Sequence, residues 1–358
     1  MTFLADLQEL VEFESPSEDL QACRGVIDLA RSIMAKHLSG EAKVLEEKGR
    51  PVLWWGSDTP KILLLCHLDT VWPIGSFQPL WAVTGAKIAG PGIFDMKAGF
   101  LQAVYATAQV NGASDYVAII ATTDEEVGSH ASRELIEKVS EGANAVLVLE
   151  ASLNGKVKVG RKGTSMYQIK VHGRASHAGL EPEKGINATV EAAHLILALT
   201  ELQNLDLGTT VVPTTLHSGT TTNTVPGLSI LDVDIRSFQM DELARVDTAI
   251  RKFTAQHPEA SIEITGGINR PPLELKSTER LYHKLELVAQ EIGIPPIGSA
   301  SVGGASDGNF AAAVGAPTLD GLGAVGDGAH APHEHILAAS IPNQISLLTA
   351  FIKELIRE

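Results

Sequence analysis

The chain has 358 residues, 44% of them hydrophobic and 20% charged, and carries a formal net charge of −15. Its length exceeds what one compact domain usually holds, and acidity without any long like-charge block argues against a nucleic-acid or anionic-membrane partner. Two cysteines, Cys23 and Cys66, are too few for a disulfide framework and allow no Cys-x-x-Cys metal motif.

The N-terminal stretch MTFLADLQELVEFES mixes acids with apolar residues at helical spacing. It lacks the basic and apolar regions of a signal peptide, and no run approaches the roughly 20 apolar residues of a membrane span, so the cytoplasm is the expected compartment. Residues 3–13 and 19–37 read as amphipathic helices. Lys61–Cys66, Tyr116–Thr122 and Ala145–Leu149 are short, continuous apolar runs that read as buried strands, separated by helical patterns at 97–110 and 129–141. This alternation predicts an α/β fold whose mixed, largely parallel sheet is flanked by helices.

The pattern changes near Gly163. Ser165–Val171 alternates as a half-exposed strand. A helix at about 185–203, strands near 209–217 and 228–236, a helix near 240–256 and a strand at 260–265 follow. This β-α-β-β-α-β order is that of a ferredoxin-like unit. After Pro271-Pro272 the α/β character returns, with a helix at 278–292, a Gly-rich stretch at 303–328 and a last helix at about 340–356. The economical reading is a discontinuous α/β domain, 1–162 with 271–358, interrupted by an inserted domain at 163–270.

Side chains of the metal-binding type gather at the ends of the predicted strands, where open α/β sheets bind ligands. In LLLCHLDT, His67 and Asp69 lie just past a strand: a metal ligand with a partner that fixes its tautomer, or a polar pair facing water. In GPGIFDMKAG, Asp95 sits in a Gly-rich turn, as a ligand or as a helix cap. In ATTDEEVGS, Asp124, Glu125 and Glu126 are adjacent, repelling carboxylates that need cations or one raised pKa, or an acidic first helical turn. Glu150 closes a further strand, and GAHAPHEHI offers His330, His333 and His335.

The ordered set HLDT, GPGIFDMKAG, TTDEEVGS, LEAS, GRASHAG, TNTVP, GGASDG and AHAPHE resembles the dinuclear zinc aminoacylases and carboxypeptidases. That family includes bacterial glutamate carboxypeptidase, acetylornithine deacetylase and succinyl-diaminopimelate desuccinylase, the first being most similar. The resemblance implies two Zn²⁺ per subunit, with Co²⁺ able to substitute. His67 and Glu150 would bind one, Glu126 and His330 the other, and Asp95 both. Asp69 would support His67. Glu125 would be the general base, taking a proton from the attacking water and passing it to the leaving amine. His177, in the inserted domain, would reach a partner subunit's site and hold the oxyanion. Asn223 and Arg236, with Gly303, Gly304 and Ser306, would bind a free substrate carboxylate. A homodimer through the insert and a cis peptide between Asp95 and Met96 are further implications. His330 is preferred over its neighbours because the family's late histidine stands four residues before a glutamate, here Glu334.

Phe94 and Ala98 depart from the family pattern, which has smaller residues there. Lys156 and Lys158 stand where glutamate carboxypeptidase has a Lys and Ser pair, which weakens glutamate specificity. Both a carboxypeptidase and a small-acyl deacylase fit the rest. Two other classes compete. Gly304–Gly308 matches G-x-S-x-G, which would make Ser306 a nucleophile, but SASVGG is a poor strand to precede it. A non-catalytic amino-acid-binding relative would not require Glu125.

Overall fold

The computed structural model describes residues 2–358. They fall into two compact units. One holds the chain up to Gly160, Leu273–Val302 and Ser306–Glu358; the other holds Arg161–Pro272 with the turn Gly303–Ala305.

The first unit is built on a six-stranded sheet in the order Lys43–Glu47, Arg50–Gly56, Val117–Thr122, Ile62–His67, Ala145–Val148, Thr318–Leu319. The last four strands run parallel, and the first two form an antiparallel edge. The apolar runs are continuous because both faces are covered. Ile62, Leu64 and Cys66 point into a core shared with Phe100, Leu101 and Phe351, while Leu63 and Leu65 pack with Ile136 and Phe310 on the other face. Helices Phe3–Glu12, Leu20–His37, Ala98–Thr107 and Ile341–Ile356 supply the first layer. Asp19 starts the second of these by accepting from the backbone amides of Gln21 and Ala22, each at 3.0 Å.

The second unit is a four-stranded antiparallel sheet in the order Thr210–Ser218, Leu228–Ser237, Gly163–His172, Ser261–Arg270. Helices Ala188–Thr200 and Met240–Ile250 pack over Tyr167, Ile169, Val171, Leu231, Val233 and Ile235. The fold class is the one the sequence implies, an α/β unit with a ferredoxin-like insert.

Some elements were not legible. The edge hairpin Lys43–Glu47 and Arg50–Gly56 escaped because its outer strand is mostly polar and exposed. The poor-strand reading of SASVGG is corrected: Ser299–Val302 is a strand, paired with Val157–Arg161. Among the described residues no helix is long and apolar enough to cross a membrane.

Candidate metal centre

Parallel strands deliver their carboxyl ends to one edge of the sheet, and the candidate ligands stand there. His67 ends Ile62–His67, Glu126 follows Val117–Thr122 after a short turn, and Glu150 follows Ala145–Val148. Asp95 lies in the turn Ile93–Lys97, and its peptide bond to Met96 is cis. Gly92 has φ +67°, and a Cβ there would fall 2.4 Å from Thr70 Cγ2, so a glycine is needed for this turn to lie against Thr70. His330 occupies the connection between Gly326–Asp327 and His335–Leu337.

His67 Nδ1 lies 3.1 Å from the Asp69 backbone carbonyl and 3.4 Å from its carboxylate. A proton there turns Nε2 toward Asp95, at 3.2 Å, and Glu150, at 3.6 Å. His330 Nε2 lies 3.0 Å from Glu126 and 3.4 Å from Asp95. Potential ligand atoms of His67, Asp95 and Glu126 all lie within 4.8 Å of one another, as do those of His67, Glu125 and Glu150.

Burial pushes the Glu126 carboxyl up to about 7, with the Asp95 charge adding to it and His330 opposing it. Asp95 and Glu126 raise His330 to about 10. For His67, burial works downward, but Asp69, Asp95 and Glu150 together raise it well above the ordinary imidazole value. Burial would raise Asp95 too, yet the two histidines hold it below the usual carboxylate range. The cluster therefore favours positive charge among its carboxylates. Imidazole nitrogens and carboxylate oxygens form a donor set that fits divalent metal ions.

The surroundings fix these groups in place. The buried Asp69 carboxylate accepts from Ser17 Oγ at 2.7 Å and from the amides of Glu125 and Glu126 at 3.4 and 3.2 Å. Glu334, also buried, accepts from the amides of Gly92, Phe94 and Asp95 at 3.0, 3.0 and 3.1 Å and from Trp72 Nε1 at 3.0 Å. Lys97 is fully buried and donates to the carbonyls of Leu10 and Phe13 at 3.0 and 2.9 Å; burial lowers its ammonium to about 8. His333 is exposed, and His335 turns Nδ1 to the His333 carbonyl at 2.8 Å.

In the second unit, His177 pairs with Thr224 across a two-residue ladder, and the Ala178 amide donates to the Asn223 carbonyl at 2.8 Å. His177 Nδ1 accepts from the amides of Gly179 and Leu180, each at 3.2 Å, which leaves the proton on Nε2. Arg236 is held by Asp234, Nε to Oδ1 at 3.0 Å, and donates to the Gly303 carbonyl at 3.4 Å. Arg161 donates to the carbonyls of Gly304 and Ala305, each at 3.2 Å.

Ser306 is different. It is fully buried and its hydroxyl donates to Asp320 at 2.6 Å. Cys23 and Cys66 are free and buried, and burial pushes the Cys23 thiol up to about 11 and Cys66 further.

A profile of peptidase family M20/M25/M40 matches residues 63–354. The chain belongs to that family. It is a hydrolase of the metallopeptidase and amidohydrolase kind. This M20/M25/M40 enzyme is 29% identical to carboxypeptidase G2 of a Pseudomonas species over 311 residues, which covers 84% of this chain and 75% of that one. It is 26% identical to succinyl-diaminopimelate desuccinylase of a Sulfurovum species over 299 residues, 78% of this chain and 79% of that one. The crystal structure of an M20 family metallo-carboxypeptidase from Sulfolobus solfataricus shares the fold, with a TM-score of 0.75 at 18% identity, over 99% of each chain.

Within this M20/M25/M40 chain, sequence reasoning missed three supporting residues. Ser17 gave no signal, because its partner lies 52 positions on. Glu334 served only as a spacing marker for His330, although four donors converge on it. Asp234 was visible in DVDIRS, two residues before Arg236 on one face of a strand.

Proposed function

We propose that the enzyme hydrolyses the amide bond of an N-acyl amino acid or peptide whose amine side carries a free carboxylate. The observation that carries this reading is the convergence of His67, Asp95, Glu126, Glu150 and His330, with Glu125 beside them, on one edge of the sheet. His67 and Glu150 would hold one zinc ion, Glu126 and His330 a second, and Asp95 would touch both.

When bound, such ions lower the pKa of a water and polarise the amide carbonyl. Glu125 takes the proton of the attacking water on its carboxylate and returns it to the departing nitrogen. Asp69 keeps this carboxylate in place through the Glu125 amide and keeps His67 in one tautomer. His177, with its proton on Nε2, offers an outward donor for the oxygen that gains charge as water adds. Arg236, oriented by Asp234, offers a planar fork to the substrate carboxylate, with Asn223 beside His177 as a second donor.

The second unit supports a homodimer in which His177 acts on a partner's substrate. Its outer strand Thr210–Ser218 is an unpaired edge, and Val212, Leu216, Val190 and Leu197 expose apolar surface on that strand and on the helix Ala188–Thr200. Two free, buried thiols suit a cytoplasmic protein. The test is a panel of N-acyl amino acids and dipeptides offered to zinc-loaded enzyme. Carboxylate-dependent cleavage that chelator abolishes supports the reading; cleavage insensitive to chelation sinks it.

A further inference from the structure

The metal-type cluster has two unlike ends. At the Glu150 end the Lys158 ammonium lies 3.9 Å from the carboxylate. At the Glu126 end the site opens into a cavity of about 780 Å³, and Glu126 itself forms part of its wall. Leu20, Val71, Pro73, Ile74 and Val127 contribute apolar surface to that wall. Leu20, Val71 and Ile74 are 41%, 39% and 60% exposed, so three large apolar side chains face water within one concave surface of an acidic protein. Such grouping marks a ligand-binding surface rather than scattered exposure.

The charges along the wall are selective. Glu18 and Asp19 line the cavity with Glu126, and its described lining includes no Lys, Arg or His. Glu126 being a candidate metal ligand, the wall beyond it carries only the charges of Glu18 and Asp19, and an anionic group entering that part would meet like charge. A substrate with one carboxylate and one apolar end therefore fits in a single sense, with the carboxylate away from the cavity and the apolar end within it.

We propose that this cavity receives the acyl group of the substrate, and that the preferred acyl group is large, uncharged and apolar, a medium-length alkyl or an aromatic chain. The inference rests on the amide-hydrolase reading above and adds the substrate class. The cavity volume is within the range of sites that enclose a drug-sized ligand, and an acetyl group would leave most of it filled with water.

The experiment compares kcat/KM of zinc-loaded enzyme on N-acetyl, N-octanoyl, N-benzoyl and N-succinyl derivatives of one amino acid. Expected is at least about a tenfold preference for octanoyl or benzoyl over acetyl, from the apolar surface removed from water, with succinyl the poorest. In Ile74→Asp and Leu20→Asp the octanoyl-to-acetyl ratio should fall about tenfold, and Ile74→Leu should retain it. Leu20→Lys should raise succinyl relative to octanoyl. These side chains are exposed, so the substitutions leave the fold intact. Cleavage of the acetyl substrate with no gain from chain length, or ratios unmoved by Ile74→Asp and Leu20→Asp, overturns the inference and leaves the amide-hydrolase reading standing. No cleavage of any member overturns both.

Discussion

The carboxylate of Glu334 accepts a hydrogen bond from the backbone amide of Asp95 at 3.1 Å, 239 positions earlier in the chain. Its two oxygens together take four N–H donors, three of them from the turn that presents Asp95. In Glu334→Gln the new amide NH₂ must face two of these donors, and the turn must shift. Metal affinity should fall about 10- to 100-fold, as for lost partners of metal ligands elsewhere. Competition with a chelating dye would measure it, and unchanged affinity would show that the turn holds Asp95 unaided.

Chelation should abolish activity, and Zn²⁺ or Co²⁺ should restore it. Glu125→Ala should retain two metals per subunit and lose several orders of magnitude in kcat, because it removes a base and no ligand. Glu125 groups with His67 and Glu150 as closely as Glu126 does with His67 and Asp95, so the metal count decides between the two acids. One ion in Glu125→Ala would exchange their roles.

Arg236→Ala should lower kcat/KM by about 1.5–3 kcal/mol, the range for a hydrogen bond to a charged group. The side chain is 39% exposed and already paired with Asp234, which keeps the loss below that of a buried, unpaired charge. Amidating the substrate carboxylate should cost the native enzyme a similar amount and the variant little. A variant that still rejects the amidated substrate would place the carboxylate elsewhere, with Lys158 the first alternative.

Mixing His177→Ala subunits with Glu125→Ala subunits should restore part of the lost activity. Each mixed dimer would combine an intact Glu125 site with an intact His177 from the other chain. Mass spectrometry would establish subunit exchange, and exchange without recovery would return His177 to its own subunit's site or to none.

Stability should respond to acid through Asp6. Its buried carboxylate accepts from Tyr105 at 2.7 Å and contacts His37 at 2.8 Å and Lys36 at 3.3 Å, joining the first two helices to Ala98–Thr107. Burial alone would raise its pKa, but these three partners hold it below the ordinary 3.8. A depressed carboxylate contributes stability that is complete above the ordinary value and disappears as pH falls through the folded one. Asp6→Asn should cost about 3 kcal/mol near pH 7 by urea unfolding. The gap from the native protein should narrow below pH 4, and a pH-independent gap would contradict the assignment.

Strand cores and the ligand series were legible because local pattern and chemistry agree. Ile62–His67 is apolar to its last residue and ends on a histidine, so one short run announced both a buried strand and a candidate ligand. The edge strand Lys43–Glu47 carried no such signal, since a solvated edge needs no apolar alternation. The surroundings of Ser306 were illegible: its G-x-S-x-G setting is a local pattern, whereas its buried bond to Asp320 is tertiary. The supports of Asp69 and Asp95 were illegible because Ser17 and Glu334 are joined to them only by folding.

The apolar rim of the cavity differs in kind from the groups beside it. His67, Asp69 and Glu334 are buried, and their hydrogen bonds constrain several chain segments at once. Leu20, Val71 and Ile74 project from the surface. Replacing one of the first three disturbs metal, turn and fold together; replacing one of the second three disturbs little beyond what enters the cavity. Inheritable change can therefore accumulate at the rim under almost no structural selection, and a lineage can move between substrates by single steps while the hydrolytic apparatus stays as it is.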